Sequence, residues 1–231
     1  MSVIRRLALG LAVLATTALV APAAGATETS TDTAPGDPAA TNSAADRPFF
    51  EFRTAKLAPV PHDPSADGGS SVTGDVALIR LGDQLIVLQL VTGIDGNLPH
   101  AQHVHGVGLG QCPTPDRAGE DGLISTAEGV PDYGGVQVSL TTNGDTSPAS
   151  ALAVDRFPVA NGLDFYLYGR VLTIGEDIPE EVGYDLDEYH VVVHGIDVNG
   201  NGAYDFDAGE SSLDPSLPLE ATVPAACGEI G

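Results

Sequence analysis

Five of the six histidines lie in two short segments, where their spacing suits metal binding. The segment HAQHVHG contains His100, His103 and His105, and the segment HVVVHG contains His190 and His194. On a β-strand, His103 and His105 share one face, with their Cα atoms about 7 Å apart, so two imidazoles can converge on one ion. His190 and His194 also share a face but lie about 13 Å apart, which is too far for one ion unless the strand bends. His100 falls on the other face or in the turn after Pro99.

Imidazole is a good ligand for copper, zinc, iron and nickel. Three histidines with an open fourth position make a reactive metal site, whereas four filled positions make a structural one. The alternative is that these histidines are polar strand residues whose rings are hydrogen-bonded within the fold. The spacing of the histidines leaves both interpretations open.

A second candidate site has the pattern of a calcium loop. Asp197, Asn199 and Asn201 stand at the first, third and fifth positions of D-x-N-x-N-G, and Asp205 stands at the ninth. Ala208 occupies the twelfth position, where such loops carry a bidentate glutamate. These four residues predict calcium binding, and the alternative is an Asn- and Gly-rich turn after a strand.

The elements that position these residues are predicted to be β-strands. Residues 72–81 and 84–94 form a hairpin around Gly82-Asp83, and residues 135–142 and 189–196 have further strand patterns. Asn161-Gly162 is a strong signal for a type I′ hairpin turn. After that turn an apolar face alternates with a more polar one: Leu163, Phe165 and Leu167 against Asp164, Tyr166 and Tyr168. Because amphipathic helices are lacking, we predict an all-β, antiparallel sandwich or barrel.

The N-terminus predicts export. Arg5 and Arg6 precede an apolar run and the A-x-A site at Ala24 to Ala26, so residues 1–26 are predicted to be a cleaved signal peptide rather than an uncleaved anchor. Residues 27–47, rich in Thr, Ala, Pro and Asp, are predicted to be a disordered leader. Residues 48–231 are then a single β domain. The expected location is secreted or at the exterior of the cell envelope.

Cysteine content and charge agree with that location. The chain has two cysteines, Cys112 and Cys227, and an even count in an exported domain predicts one disulfide. The predicted signal holds two of the nine Lys and Arg residues and none of the 32 acidic ones, so its removal leaves a net charge of −25. Such a polyanion attracts cations and repels nucleic acid and anionic lipid. We expect a metal ion as partner, no nucleic acid and no membrane insertion, while protein partners stay unknown.

The order of several motifs resembles that of the copper/zinc superoxide dismutases. A β hairpin leads into HVHG, Cys112 follows, then VVVHGID, and the chain ends in ACGEIG. The resemblance spans about residues 72–231 and implies an eight-stranded Greek-key barrel. It also implies that His103, His105 and His194 are copper ligands and that Cys112 pairs with Cys227.

Two features of that family are missing from this sequence. No histidine lies between His105 and His190, so the bridging histidine and the zinc-ligand histidines have no counterpart and no zinc site of the family type is expected. Pro224 stands where the family has its active-site arginine, three residues before the last cysteine.

A shorter resemblance, to CHRD domains, rests on the H-x-H-G segment and the GEIG ending.

These observations support two hypotheses from different classes. The first is an exported, copper-binding, superoxide dismutase-like protein that dismutates superoxide. The second is a non-catalytic, CHRD-like extracellular binding module, stabilised by calcium, in which the histidines bind metal weakly or support the fold. Convergence of the three histidine rings favours the first hypothesis, and their separation favours the second.

Overall fold

A computed structural model describes residues 47–63 and 69–231 of the chain. The predicted signal peptide and all but the last residue of the predicted leader lie outside the described residues. Arg47, the last residue of that leader, places its guanidinium 4.0 Å from the centre of the Tyr184 ring. This contact attaches Arg47 to the β domain.

Eight strands account for most of the regular structure in the part of the chain described. The strands are β1 Phe50–Pro59, β2 Thr73–Leu81, β3 Gln84–Thr92, β4 Gln102–Gly106, β5 Gly135–Ser139, β6 Phe165–Thr173, β7 His190–His194 and β8 Pro224–Glu229. Three short α-helices lie in the described connections: α1 Thr126–Tyr133, α2 Glu180–Tyr184 and α3 Leu219–Thr222.

The strands form one curled antiparallel sheet in the order β5-β4-β7-β8-β1-β2-β3-β6. One half contains β1, β2, β3 and β6, the other contains β4, β5, β7 and β8, and the halves join where Ala58 of β1 pairs with Cys227 of β8. The chain crosses between the halves after β3, β5 and β6, which are connections of the Greek-key kind. The predicted all-β, antiparallel fold is confirmed.

The hairpin of β2 and β3 forms as the sequence predicts. Its two-residue turn leaves Leu81 opposite Gln84, and Gly82 takes the positive φ of 63° that such a turn needs. Val76 and Leu78 of β2 point into the core, while Asp75 and Ala77 lie on the other face. Alternation and turn chemistry therefore specify the same register.

The Asn161-Gly162 turn differs from the prediction. Asp164, with a φ of 59°, is the left-handed residue, and neither Asn161 nor Gly162 has positive φ. The turn closes through the Asn161 N–H, which donates to the carbonyl of Phe165 at 2.9 Å, and no paired strand precedes it. The prediction of a type I′ hairpin here is wrong. The segment instead bonds to the loop after β3, since Gly93 N–H donates to the Asp164 carbonyl at 2.9 Å and Asn97 N–H donates to the Ala160 carbonyl at 2.8 Å.

The first half of strand β6 buries Tyr166 and Tyr168 and exposes Leu167 between them. Tyr166 and Tyr168 are buried, whereas Leu167 is 73% exposed. The buried hydroxyls are satisfied, since Tyr166 donates to Gln102 Oε1 at 2.9 Å and Tyr168 donates to the Thr141 carbonyl at 3.2 Å. The polar face of the predicted strand is therefore the one that faces the core.

The main core lies between the two halves of the sheet. Each buried Val, Leu or Ile side chain there contributes roughly 1.5–3 kcal/mol to folding. The main core contains side chains from both halves, among them Leu57, Val76, Leu78, Val87, Val91, Val104, Val138, Leu172, Val191 and Val193.

A second, smaller apolar cluster lies on the opposite face of β7 and β8. It contains Val60, Ile124, Tyr133, Val192 and Cys227. Long connections therefore cover the outer face of this half-sheet, and side chains there are buried although they point away from the main core.

Cys112 and Cys227 form the predicted disulfide, with their Cα atoms 5.8 Å apart. The bond links the loop after β4 to strand β8 across a sequence separation of 115 residues.

Among the described helices, none has both the length and the apolar content required to cross a membrane.

Candidate metal centre

Strands β4 and β7 bring three of the histidines onto one face of the sheet. The register pairs His103 with Val192, and Val104 of β4 pairs with Val191 of β7. Val104 and Val191 point into the main core, so His103, Val192 and His194 point to the other side. The run of three valines favours a strand at β7. A strand places His194 on the same face as His103, two residues beyond Val192, the partner of His103.

The three imidazoles form a compact buried cluster. The ring centres lie 5.5 Å apart for His103 and His105, 5.1 Å for His103 and His194, and 5.7 Å for His105 and His194. One ring nitrogen from each residue lies within 4.8 Å of the nitrogens from the other two. A small contraction of this triangle would place all three about 2.0–2.1 Å from a single ion.

One nitrogen of each ring donates a hydrogen bond to a backbone carbonyl. His103 Nε2 donates to Ala151 at 3.1 Å, and His105 Nδ1 donates to Gly134 at 2.9 Å. His194 Nδ1 donates to Thr222 at 2.8 Å. Because a carbonyl can only accept, these bonds fix the proton on the bonded nitrogen and fix the orientation of each ring.

The other nitrogen of each ring is therefore an unprotonated lone-pair donor. His103 Nδ1, His105 Nε2 and His194 Nε2 are all buried and have no hydrogen-bond partner. A buried polar atom without a partner costs about 1–3 kcal/mol, and here three such atoms belong to one cluster. This arrangement fits a metal ion, which would satisfy all three nitrogens at once.

The electrostatics keep the cluster neutral at physiological pH. Burial lowers the pKa of His105 to about 3 and that of His194 to about 4. Burial, followed by the neighbouring His194 and His105, lowers the pKa of His103 well below its ordinary value. Neutral imidazole is the form that binds a metal, so no proton has to be removed at pH 7.

A cavity of about 20 Å³ adjoins the cluster. That volume suits one water molecule or one ion. No acidic, Lys or Arg side chain is among its lining residues, which are Ala101, His103, His105, Thr126, Val136, Ala151, Leu152, His194, Leu213 and Thr222. The only side-chain nitrogens of this small pocket are those of the three histidines, and it contains no charged side chain.

The other two histidines of these segments stay outside the cluster. His100 is fully buried, with Nε2 2.9 Å from the Asp95 carbonyl and Nδ1 3.0 Å from the Tyr204 hydroxyl. This histidine supports the turn that enters β4. His190 lies at the opposite end of β7 from His194, as the strand spacing predicts.

The calcium-like loop lies close after β7 and is held by internal hydrogen bonds. The Asp197 carboxylate accepts from the backbone N–H of Asn201 at 3.1 Å. The side-chain amides of Asn199 and Asn201 both donate to the Asp205 carboxylate. The fully buried Glu220 carboxylate accepts from the backbone N–H of Asp205 at 2.8 Å. The four predicted residues are thus gathered, and calcium binding there stays a prediction.

Some groups that build the metal centre carry no signal in the sequence. The carbonyls of Gly134, Ala151 and Thr222 orient the rings, and they come from three separate connections. Leu152 and Leu213 line the cavity. Any residue type supplies a carbonyl, and an isolated leucine in a loop is common, so sequence patterns do not reveal these contacts.

Comparison with known proteins finds no protein-family model that matches this chain and no significantly similar curated protein. The chemistry of the centre is therefore argued from its own residues.

Proposed function

We propose that this chain is an exported copper-binding protein, and that His103, His105 and His194 hold the ion. The observation that carries the proposal is the set of three buried, unpartnered ring nitrogens within 4.8 Å of one another. The resemblance of the motif order to the copper/zinc superoxide dismutases, and the disulfide typical of an oxidising compartment, support it.

The donor set favours copper over other ions. Calcium and magnesium require oxygen ligands, and the cavity offers no carboxylate. Imidazole sites bind divalent copper more tightly than zinc, nickel, cobalt or iron. The other nitrogen of each ring donates a hydrogen bond to a backbone carbonyl, which is the outer-shell support that metal-binding histidines usually have.

Superoxide dismutation is the reaction we propose for the bound ion. Copper supplies one-electron exchange between two oxidation states. The protein orients three imidazoles, places the apolar side chains of Leu152 and Leu213 beside them, and leaves little free volume there. No Lys or Arg side chain lines the cavity, and the full chain carries a formal charge of −23, so the field does not attract an anion. Because favourable steering accelerates such encounters about 10- to 1,000-fold, we expect slow dismutation.

A copper titration tests the binding proposal. We expect one equivalent of copper per chain at the three-histidine cluster, with a Cu(II) electron paramagnetic resonance spectrum that shows coupling to several nitrogens. His103→Ala removes one ligand and should remove that equivalent and its spectrum. His62→Ala is the matched control, because it also removes a buried imidazole, but one whose two nitrogens are already hydrogen-bonded to Pro224 and Ile124.

Copper binding that survives His103→Ala, or that is lost equally in His62→Ala, would contradict the proposal. The dismutation step has a separate test, the loss of superoxide after pulse radiolysis with the copper-loaded protein. A rate no greater than that of the metal-free protein would leave copper binding standing and favour the non-catalytic module.

A further inference from the structure

His190 presents a second buried nitrogen that the metal centre does not use. This histidine is 4% exposed, and its Nε2 is buried without a hydrogen-bond partner. It is the first residue of β7, and its cross-strand neighbours are His105 on β4 and Glu229 on β8.

A separate cavity of about 290 Å³ lies beside His190. It is lined by Gly110, Asp187, Glu188, His190, Glu229 and Ile230. Glu229 Oε1 is 3.9 Å from His190 Nε2, which is too long for a hydrogen bond. Asp187 and Glu188 are exposed residues of the short turn that leads into β7.

We propose that this cavity is a second cation site, which binds a divalent transition metal of the zinc type through His190 Nε2, the Glu229 carboxylate and a carboxylate of Glu188 or Asp187. The site shares no ligand with the copper centre. It does not depend on the function proposed above.

The distances suit such an ion with little movement. Two ligands at 2.0–2.2 Å from a tetrahedral ion are roughly 3.4 Å apart, so the 3.9 Å between Nε2 and Oε1 needs a small closure. Glu229 is exposed, and its side chain is free to make that adjustment. Asp187 and Glu188 come from an adjacent turn, and water can complete the coordination.

The charge and donor types select the class of ion. Three carboxylates line the cavity and no Lys or Arg side chain does, so a cation is attracted. His190 Nε2 is buried without a hydrogen-bond partner, so it can offer a lone pair to an ion in this cavity. A nitrogen with carboxylate oxygens suits Zn²⁺, whereas Ca²⁺ prefers oxygen alone.

Isothermal titration of the metal-free mature protein with Zn²⁺ tests the proposal. The copper centre and the proposed site should each take up zinc, so we expect two equivalents. Glu229→Gln should weaken one of the two events by about tenfold or more, since loss of even an outer-shell partner costs 10- to 100-fold. His190→Gln should do the same, while His103→Ala should remove the other event.

Glu176→Gln is the matched control, because it makes the same change at an exposed glutamate after β6, on the other half of the sheet. It should leave both events within twofold of the wild type. Circular dichroism of each variant checks the fold. Zinc binding that is unchanged in Glu229→Gln, or a wild-type protein that takes up zinc only at the site lost in His103→Ala, would overturn the proposal.

Discussion

The proton positions on three imidazole rings decide whether this centre can bind a metal. His105 shows how the fold sets that position, because its Nδ1 is held by the Gly134 carbonyl and its Nε2 is left free. Gly134 is itself constrained, with φ 85° and ψ −175°, a region that is open almost only to glycine. The backbone at Gly134 therefore controls a ligand that is 29 residues away in the sequence.

Gly134→Ala should destabilise the protein and weaken copper binding. A Cβ atom at this position would lie under 3.0 Å from the Gly106 carbonyl oxygen and from Gly108 N, so the loop has to move and carry the Gly134 carbonyl with it. The backbone conformation adds about 1–3 kcal/mol of strain. We expect a lower urea midpoint and a raised copper dissociation constant.

Gly135→Ala is the control for this change, because Gly135 lacks positive φ and a Cβ there meets nothing within 4 Å. Equal copper affinity in the two variants would show that the Gly134 carbonyl does not position His105.

Among the secondary-structure elements, the pairing of β4 with β7 creates the cluster and the long connections bury it. Residue 192 lies opposite residue 103 in the register, so a shift of one residue would turn His194 toward the main core. The Cys112–Cys227 bond links one of the connections that cover this face, the loop after β4, to strand β8. The stability of the covering loops is therefore tied to strand β8.

Removal of the disulfide should lower the free energy of unfolding substantially. A bond that closes a loop of about this length contributes roughly 4–5 kcal/mol in the chain-entropy model. We expect the Cys112→Ser, Cys227→Ser double variant to have a lower urea midpoint than the oxidised protein. The reduced wild type serves as the control and should resemble the variant. A change below about 1 kcal/mol would show that the loops do not depend on the bond.

The loop after β7 supports a separate prediction about calcium. Hydrogen bonds hold Asp197 and Asp205 close to Asn199 and Asn201. The Glu220 carboxylate also accepts a hydrogen bond from the Asp205 backbone N–H. If calcium binds, 1 mM Ca²⁺ should raise the melting temperature of the wild type and leave Asp197→Asn unchanged.

Asp214→Asn is the control for the calcium measurement, because Asp214 is a turn aspartate that accepts from the backbone N–H of Ser216 and lies outside this loop. This variant should keep the full calcium response. A wild-type melting temperature that does not respond to calcium would favour the simple turn.

Over the whole molecule, the buried histidines make stability depend on pH. Burial lowers the pKa of all six histidines: His62, His100, His103, His105, His190 and His194. As pH falls below about 6.5, histidines become protonated in the unfolded chain while the same histidines stay neutral in the folded chain. The folded state therefore loses stability relative to the unfolded state as pH falls below about 6.5. This loss continues down to about pH 4 for His194 and about pH 3 for His105, where the folded forms also become protonated.

The metal-free protein should thus become less stable between pH 7 and pH 5. Each histidine with a folded pKa well below this range removes about 1.4 kcal/mol per pH unit once the unfolded form is protonated. Urea unfolding at pH 8, 7, 6 and 5 measures the effect, and the free energy of unfolding should change much less between pH 8 and pH 7 than between pH 6 and pH 5. A free energy of unfolding that stays constant from pH 7 to pH 5 would contradict the prediction.

The sequence predicts much of the fold because the signals are local. Alternation in β2 and β3 and the turn at Gly82 determine a hairpin without any distant contact. Two cysteines allow one intramolecular disulfide. His103 and His105 share a face because a strand has a period of two residues. The Asn161-Gly162 turn shows the limit, because a hydrogen bond from Asn161 to Phe165 and a left-handed Asp164 replace the preferred hairpin turn.

The tertiary structure alone decides what the histidines can do. The alternation of residues makes His103 and His105 neighbours, but only the β4–β7 register brings His194 to them and leaves His190 beside Glu229. Only the packed connections supply the carbonyls that fix the ring protons and the apolar side chains that line the cavity. Strand periodicity acts over neighbouring residues, whereas a metal centre is built from groups that meet only when distant segments pack together.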